Sequence, residues 1–189
     1  MPRKVDRVAR RAEILDAAVR VFARKGFATS RIEDVAAEAG IAKGSVYLYF
    51  DSRDALLAGV FQSYAESSGQ VLAELGDGTA LDRLTRLIHG TVEMLAAHPD
   101  HARVLLDVWA SNPPLDMATV YREYRSAIAD LLRQAQAGGE LRPGIGEAHA
   151  AVVVGAIEGC LVQALVDPQV SLRELAGPIA QICVEGIRR

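Results

Sequence analysis

The chain has 189 residues, of which 50% are apolar, 24% charged and only 5% aromatic, and it carries a net charge of −3. That apolar share fills one good core, or a small module joined to a larger body, and excludes a disordered chain. Two cysteines, Cys160 and Cys183, exclude a disulfide framework; lacking metal-ligand spacing, they read as buried reduced thiols.

The N-terminus, "MPRKVDRVARRAEIL", lacks the apolar segment of a signal peptide, and no run approaches the ~18 uninterrupted apolar residues of a membrane span. A cytoplasmic protein without membrane contact is expected. Charge divides unevenly along the chain. Residues 1–50 hold ten Lys or Arg against six acids, and the rest holds eleven against eighteen, so a basic end precedes an acidic body. Such asymmetry is the footprint of a nucleic-acid module on a regulatory body.

The spacing predicts an all-α chain of about nine helices. Asp6 caps a first helix to about Lys25, with Ile14, Leu15, Ala18, Val21 and Phe22 on one stripe and Gly26 as its stop. The stretch "TSRIEDVAAEAGIAKGSVYLYFDSRDALL", residues 29–57, then reads as two short helices joined by a tight turn and followed by a third, a helix-turn-helix. Ser30 and Glu33 form a capping box, so a helix begins near Arg31, and Gly40 ends it. The next helix, 42–49, would be ~12 Å long and fit a DNA major groove. Asp51 or Ser52 caps a long fourth helix, which runs through Leu56, Val60, Phe61, Tyr64 and Leu72 to Gly76. Helices over 79–97, 99–110 and 115–137 follow, with Pro113 and Pro114 between the last two. "GGELRPGIG" precedes helices over 147–166 and 171–187, which Asp167 and Pro168 divide.

Ile14, Ala18, Phe22, Gly26, Val35, Ala36, Ala39, Gly40, Ile41, Gly44, Val46, Tyr47, Tyr49, Phe50, Ser52, Arg53 and Asp54 resemble the signature of the TetR (tetracycline repressor) family over roughly the first sixty residues. The resemblance implies a helix-turn-helix domain at 1–50, an effector-binding and dimerisation domain at 51–189, and no enzymatic activity. It also implies phosphate contacts from Tyr47, Tyr49 and Arg53. Two positions depart from the family pattern: Ala42 stands where a Ser or Thr commonly caps the recognition helix, and Arg53 replaces a lysine.

The residues add separable roles. Lys43 reaches guanine O6 and N7, Gly44 admits the backbone close to DNA, and Ser45 bonds a base edge or a phosphate. Thr29, Ser30 and Arg31 flank the opposite strand. The basic arm at residues 2–11 grazes phosphates. In the body, the 147–166 helix is apolar around nearly its whole circumference, and the last helix carries its own apolar stripe. A four-helix homodimer interface is expected from Val153, Ala156, Ile157, Leu175, Ile179, Ile182 and Cys183. An effector pocket is expected among Phe61, Tyr64, His89, Met94, Trp109, Met117, Tyr121, Tyr124 and Glu158, with Gly90 at its border. The histidines in "HPDH", residues 98–101, lack a partner cluster and read as a solvated helix start, so no metal and no cofactor are expected.

The expected function is a homodimeric regulator, a repressor of a pseudo-palindromic DNA operator that an apolar or aromatic small-molecule effector releases. The alternative is a similar DNA binder without such an effector, controlled by a protein or acting as an activator. A helical enzyme or carrier with a vestigial head is the third reading. No nucleophile motif or phosphate-binding glycine loop favours it.

Overall fold

The computed structural model describes residues 6–110 and 116–189. Arg3, Lys4, Pro113 and Pro114 lie outside the described residues, as do the side chains of Trp109 and Met117. Nine α-helices run through the described residues: α1 (Arg7–Lys25), α2 (Ile32–Glu38), α3 (Lys43–Tyr47), α4 (Arg53–Ala73), α5 (Ala80–Ala97), α6 (Pro99–Ala110), α7 (Met117–Ala137), α8 (Ala148–Val166) and α9 (Leu172–Ala180). They form two compact units that do not follow a single cut in the sequence. A head unit comprises Met1–Glu66 with Asp100–Leu115, and a body unit comprises Ser67–Pro99 with Asp116–Arg189. Helix α6 therefore belongs to the head, although its sequence neighbours on both sides belong to the body.

In the head, the Asp6 carboxylate accepts from the Val8 and Ala9 amides at 2.9 and 3.3 Å and starts α1. Gly26, at φ +79°, ends it in a conformation that a Cβ would strain. The predicted α1 stripe of Ile14, Leu15, Ala18, Val21 and Phe22 is buried, with Val35, Ala36, Val46, Phe50, Leu56 and Leu57 completing the core. Each Ile, Leu, Val or Phe side chain among them contributes roughly 1.5–3 kcal/mol by leaving water. Helices α1 and α4 cross tightly at Gly59, where an added Cβ would stand 2.9 Å from Leu15 Cδ2 and from Phe50 Cε1. Ser52, rather than Asp51, starts α4, its hydroxyl accepting from the Ala55 amide at 3.0 Å.

In the body, Thr79 and Asp82 cap α5 reciprocally at 3.2 Å. Leu81, Leu84, Ile88 and Val92 then face Ile128, Leu131 and Leu132 of α7 and the buried residues of α8 and α9 in one core. Arg86 donates to the Leu75 and Asp77 carbonyls, each at 2.5 Å, and closes the turn after α4. Gly90 does not border a cavity: an added Cβ would lie 2.7 Å from Val71 Cγ1, so the glycine lets α5 and the end of α4 touch.

The last predicted helix is shorter than its sequence pattern. Pro178 sits inside α9 and removes one hydrogen-bond donor, and the chain continues as a π-helical turn, Gln181–Glu185. The end is then tied down by Arg142 N to Ile187 O at 3.0 Å and Arg189 N to Glu140 O at 2.8 Å. The resulting Leu141–Arg188 bridge is the one β pairing among the described residues.

The uncovered side of helix α8 revises the expected interface. With a mean hydropathy of 1.8 over a span-length window the helix is long and apolar enough to cross a membrane, although Glu158 and Gln163 break the apolar run. Only 22% of that window is buried. Of the expected interface residues, Val153, Ile157, Ile179 and Cys183 are buried inside their own chain, because the period of a helix buried on one side turns them toward α5 and α7. Ala156 and Leu175 are half-buried. Of the expected set only Ile182, on the π turn, is largely exposed, at 76%; the rest of what stays uncovered is a different row on α8, with Val152 64%, Val162 41% and Val166 79% exposed and Gly155 and Gly159 between them.

Candidate nucleic-acid interface

Helix α2 is held by charge on both sides. Glu38 receives Arg20 Nε at 2.8 Å and Arg24 at 2.9 Å, Asp34 receives Lys25 Nζ at 2.5 Å, and Glu33 receives Lys43 Nζ at 2.6 Å. These hydrogen bonds hold the carboxyls of Glu33, Asp34 and Glu38 below their usual range and the Lys43 ammonium above its own. The pairs fix the two short helices against α1, which propensity alone does not stabilise at such lengths.

The predicted capping box is displaced by one residue. The Ser30 hydroxyl donates to the Gly26 carbonyl at 2.6 Å, and its residue is 2% exposed, so it closes the α1 turn and does not face DNA. Arg31 becomes the residue before the helix, its amide donating to Asp34 Oδ2 at 3.0 Å. Asp34 lies three residues after Arg31, as Glu33 lies three after Ser30, so spacing alone did not choose between the two pairs. Thr29 is exposed, with its hydroxyl on the Lys25 carbonyl.

Helix α3 spans five residues and is shorter than expected, since no side chain caps Ala42 and the chain turns at Tyr49 and Phe50, whose amides both donate to Val46 O. It still presents a surface. Val46 is buried beneath it, while Lys43, Gly44 and Tyr47 are exposed, Ser45 and Tyr49 are half-buried, and no heavy atom lies within 4 Å of a Cβ built at Gly44. Lys43 Nζ stands 5.8 Å from the Tyr47 ring centre. Arg7 and Arg11 of α1 lie over Tyr49 at 5.9 Å and Phe50 at 5.2 Å. Those arginines were overlooked as individual site residues; their i, i+4 spacing was legible, but the ring beneath each one comes from tertiary packing. Arg53 is engaged inside the head: its guanidinium donates to the Ala28 and Ser30 carbonyls at 2.8 and 3.1 Å and stacks 4.3 Å from the Phe27 ring. Arg31 is exposed at the start of α2.

The residues expected to hold an effector divide between the units. In the head, Phe61 is buried and Tyr64 half-buried on α4. In the body, Tyr121 donates to Glu158 Oε1 at 2.6 Å, joining α7 to α8; Tyr124 is half-buried; and Met94 Sδ lies 4.0 Å from Ser68 Oγ. His89 is exposed on the outer side of α5 and does not line an enclosed wall. Among the described residues no three His, Cys, Asp or Glu side chains gather in a way that could hold a metal ion.

Residues 14–60 match the family model for bacterial regulatory proteins of the tetR family, and residues 80–187 match that for the C-terminal part of BetI-type transcriptional repressors. The fatty acid metabolism regulator protein of Bacillus subtilis is 26% identical over 185 residues, covering 93% of this chain and 94% of its own. The transcriptional repressor KstR2 of Mycolicibacterium smegmatis is 29% identical over 145 residues, 71% of this chain and 69% of its own. The crystal structure of FadR from Bacillus subtilis in complex with stearoyl-CoA superposes with a TM-score of 0.81 at 26% identity, covering 93% of this chain and 98% of that one. FadR from Bacillus halodurans, at 24% identity, shares the fold with a TM-score of 0.84. With both parts of the chain matched by models of one family and its relatives regulators rather than enzymes, the protein belongs to the TetR family of transcriptional regulators.

Proposed function

We propose that this regulator is a homodimeric repressor that binds a pseudo-palindromic operator and leaves it when the body takes up an apolar or amphipathic small molecule, with long-chain acyl-CoA the first class to test. The reading is carried by the presence in one chain of a short helix with Lys43, Gly44 and Tyr47 turned outward and a C-terminal helix whose apolar row is uncovered. Lys43 is the base reader, and Arg7, Arg11, Arg31, Tyr47 and Tyr49 meet phosphates. One α3 contacts too few base pairs for specificity, so two heads must read half-sites about 34 Å apart. The row Val152, Gly155, Gly159, Val162 and Val166, with Ile182, is the surface on which a second copy fits: its glycines admit a close helix crossing and its valines and isoleucine gain from leaving water.

The acyl-CoA class is carried over from FadR of Bacillus subtilis, which holds stearoyl-CoA and aligns over nearly the whole chain. Within the body, Tyr121 and Glu158 supply a polar pair that joins α7 to α8, and Tyr124 and Met94 are half-buried, the mixed chemistry that an amphipathic ligand meets.

The test selects fragments of the source genome on the purified protein, then measures affinity for the recovered operator with and without stearoyl-CoA, with sedimentation of the free protein alongside. A dimer that binds one palindrome and loses affinity with stearoyl-CoA is expected. If neither stearoyl-CoA nor any other small molecule that binds the body changes operator affinity, the effector-free reading replaces this one. A monomer that still binds a single half-site specifically would remove the dimer from it.

A further inference from the structure

The loop between α1 and α2, residues 26–31, is gripped from two sides. From α6, the Asp107 carboxylate accepts the Phe27 amide at 2.7 Å, across eighty positions of sequence, and lies 3.5 Å from where a Cβ on Gly26 would be. From the start of α4, Arg53 donates to Ala28 O and Ser30 O and stacks on the Phe27 ring. Phe27 itself is buried and meets Phe22 edge-on, with ring centres 5.3 Å apart. The loop leads directly into α2 and thence α3, so its position sets the surface that meets DNA.

We infer that Asp107 and Arg53 are positioning residues that clasp this loop, and that through Asp107 helix α6 governs the orientation of α2 and α3. The chemistry favours a clasp over a surface contact. A carboxylate accepting a backbone amide is a charge-assisted bond, stronger than a neutral one, and this one is partly buried. Arg53 directs one guanidinium nitrogen, Nη1, at two carbonyls that follow the α1 terminus and would otherwise need water, while its plane lies over the Phe27 ring. Helix α6 is flanked in sequence on both sides by segments of the body unit, which makes it the one described head element reached from the body without passing through α4. The assignment also explains the arginine at position 53: a lysine would keep the charge and a donor but lose the plane that stacks on Phe27.

The free full-length protein provides one readout and the DNA complex another. Hydrogen exchange of the Phe27 amide is measured by NMR for the wild type, Asp107→Ala and Asp107→Asn, and affinity for the genomic fragment that the wild type selects is measured against salt for the same proteins and for Arg53→Lys. Loss of one charge-assisted bond should make the Phe27 amide of Asp107→Ala exchange about tenfold faster or more. Its operator affinity should fall at every salt concentration with the salt slope unchanged, since no phosphate contact is removed. Asp107→Asn still offers an acceptor oxygen and should stay within about threefold of wild type. Arg53→Lys should lose affinity as Asp107→Ala does. Unchanged Phe27 exchange in Asp107→Ala overturns the clasp. So does equal, tighter operator binding by Asp107→Ala and Asp107→Asn, the behaviour of a carboxylate that only repels DNA. A wild type that selects no DNA would instead defeat the proposed function, and the exchange measurement would still decide the clasp.

Discussion

The head and helix α8 treat their exposed surfaces in opposite ways. Around α2 in the head the charges are occupied: Glu33, Asp34 and Glu38 each hold a base from a neighbouring helix, and Arg53 holds two carbonyls. In α8 the apolar residues are left open, with Val152, Val162 and Val166 uncovered. A surface of paired charges is complete in one chain and can be pre-organised for DNA, whereas an open apolar row is complete only against something else. The chain thus carries one finished surface and one unfinished surface, and perturbing each should have consequences of a different kind.

The largest effect is expected at the unfinished surface. Ile182→Glu, alone or with Val152→Glu, would put carboxylates against the partner helix, at a cost of several kcal/mol that dissociation relieves. Sedimentation should show monomers that retain the helical spectrum, and operator binding should be lost with the dimer. Ile179→Glu makes the contrast, because Ile179 is buried in its own chain and the same charge there should unfold the body. A folded, dimeric Ile182→Glu protein would show that the uncovered row does not pair copies of the chain.

The contrast between Ile179 and Ile182 also marks where the sequence stops being informative. Helix existence, the α1 stripe and the Gly26 and Gly40 stops were legible because each depends on local spacing or on a backbone conformation. The side of α8 that faces its own core was not legible, since a helix apolar all round has no periodicity to read. Nor was the shift from Ser30–Glu33 to Arg31–Asp34, because both pairs satisfy the same spacing and only the buried Ser30–Gly26 bond separates them. Membership of α6 in the head was not legible either, since the contact of Asp107 with Phe27, eighty positions away, has no sequence signal. The exposure of Lys43, Gly44 and Tyr47 was legible from their register on the recognition helix, whereas the hold of Arg53 on the Ala28 and Ser30 carbonyls needed three dimensions.

An intermediate effect is expected at Gly59, where α1 and α4 cross closely. Gly59→Ala adds one methyl where 2.9 Å separates its site from Leu15 and Phe50, so α1 and α4 must part or Phe50 must turn. Overpacking of this kind costs about 1–3 kcal/mol. The denaturant midpoint should fall while sedimentation is unchanged, which inverts the result for Ile182→Glu. A Gly59→Ala protein of wild-type stability would mean that the crossing is looser than these distances imply.

At the DNA surface, Lys43→Ala should relax preference at one position of each half-site by about 1–3 kcal/mol, read from a randomised operator library. Because Lys43 is paired with Glu33 in the free protein, Glu33→Gln should act in the opposite direction, releasing the ammonium and strengthening binding to all sequences. Unchanged base preference in Lys43→Ala would remove it from readout and leave it a partner of Glu33 alone.

The smallest effect concerns acid, and it tests whether the paired charges complete the head. The carboxyls of Glu33, Asp34 and Glu38 are held below their ordinary range, first of all by the hydrogen bonds from Lys43, Lys25 and Arg20 respectively. A carboxyl with a lowered folded-state pKa binds its proton more readily when unfolded, so its contribution is present above the ordinary carboxylate range of about 4 and is lost as pH falls through the folded value. Lys43 is shifted upward by the same bond with Glu33, and its contribution is lost only as pH rises past its raised value, at the alkaline end. Glu33 and Lys43 are exposed and Asp34 and Glu38 half-buried, so water still screens each pair and its share is small. Thermal unfolding should therefore be level near neutrality and fall below about pH 4, and part of that fall should disappear in Glu38→Gln. High salt at neutral pH should lower the midpoint of the wild type more than that of Glu38→Gln, because only the former retains the Arg20 and Arg24 pairs for salt to screen. Identical acid and salt profiles for the two proteins would show that the charges around α2 are spectators, and that the head owes its order to Val35, Ala36 and Val46 beneath them.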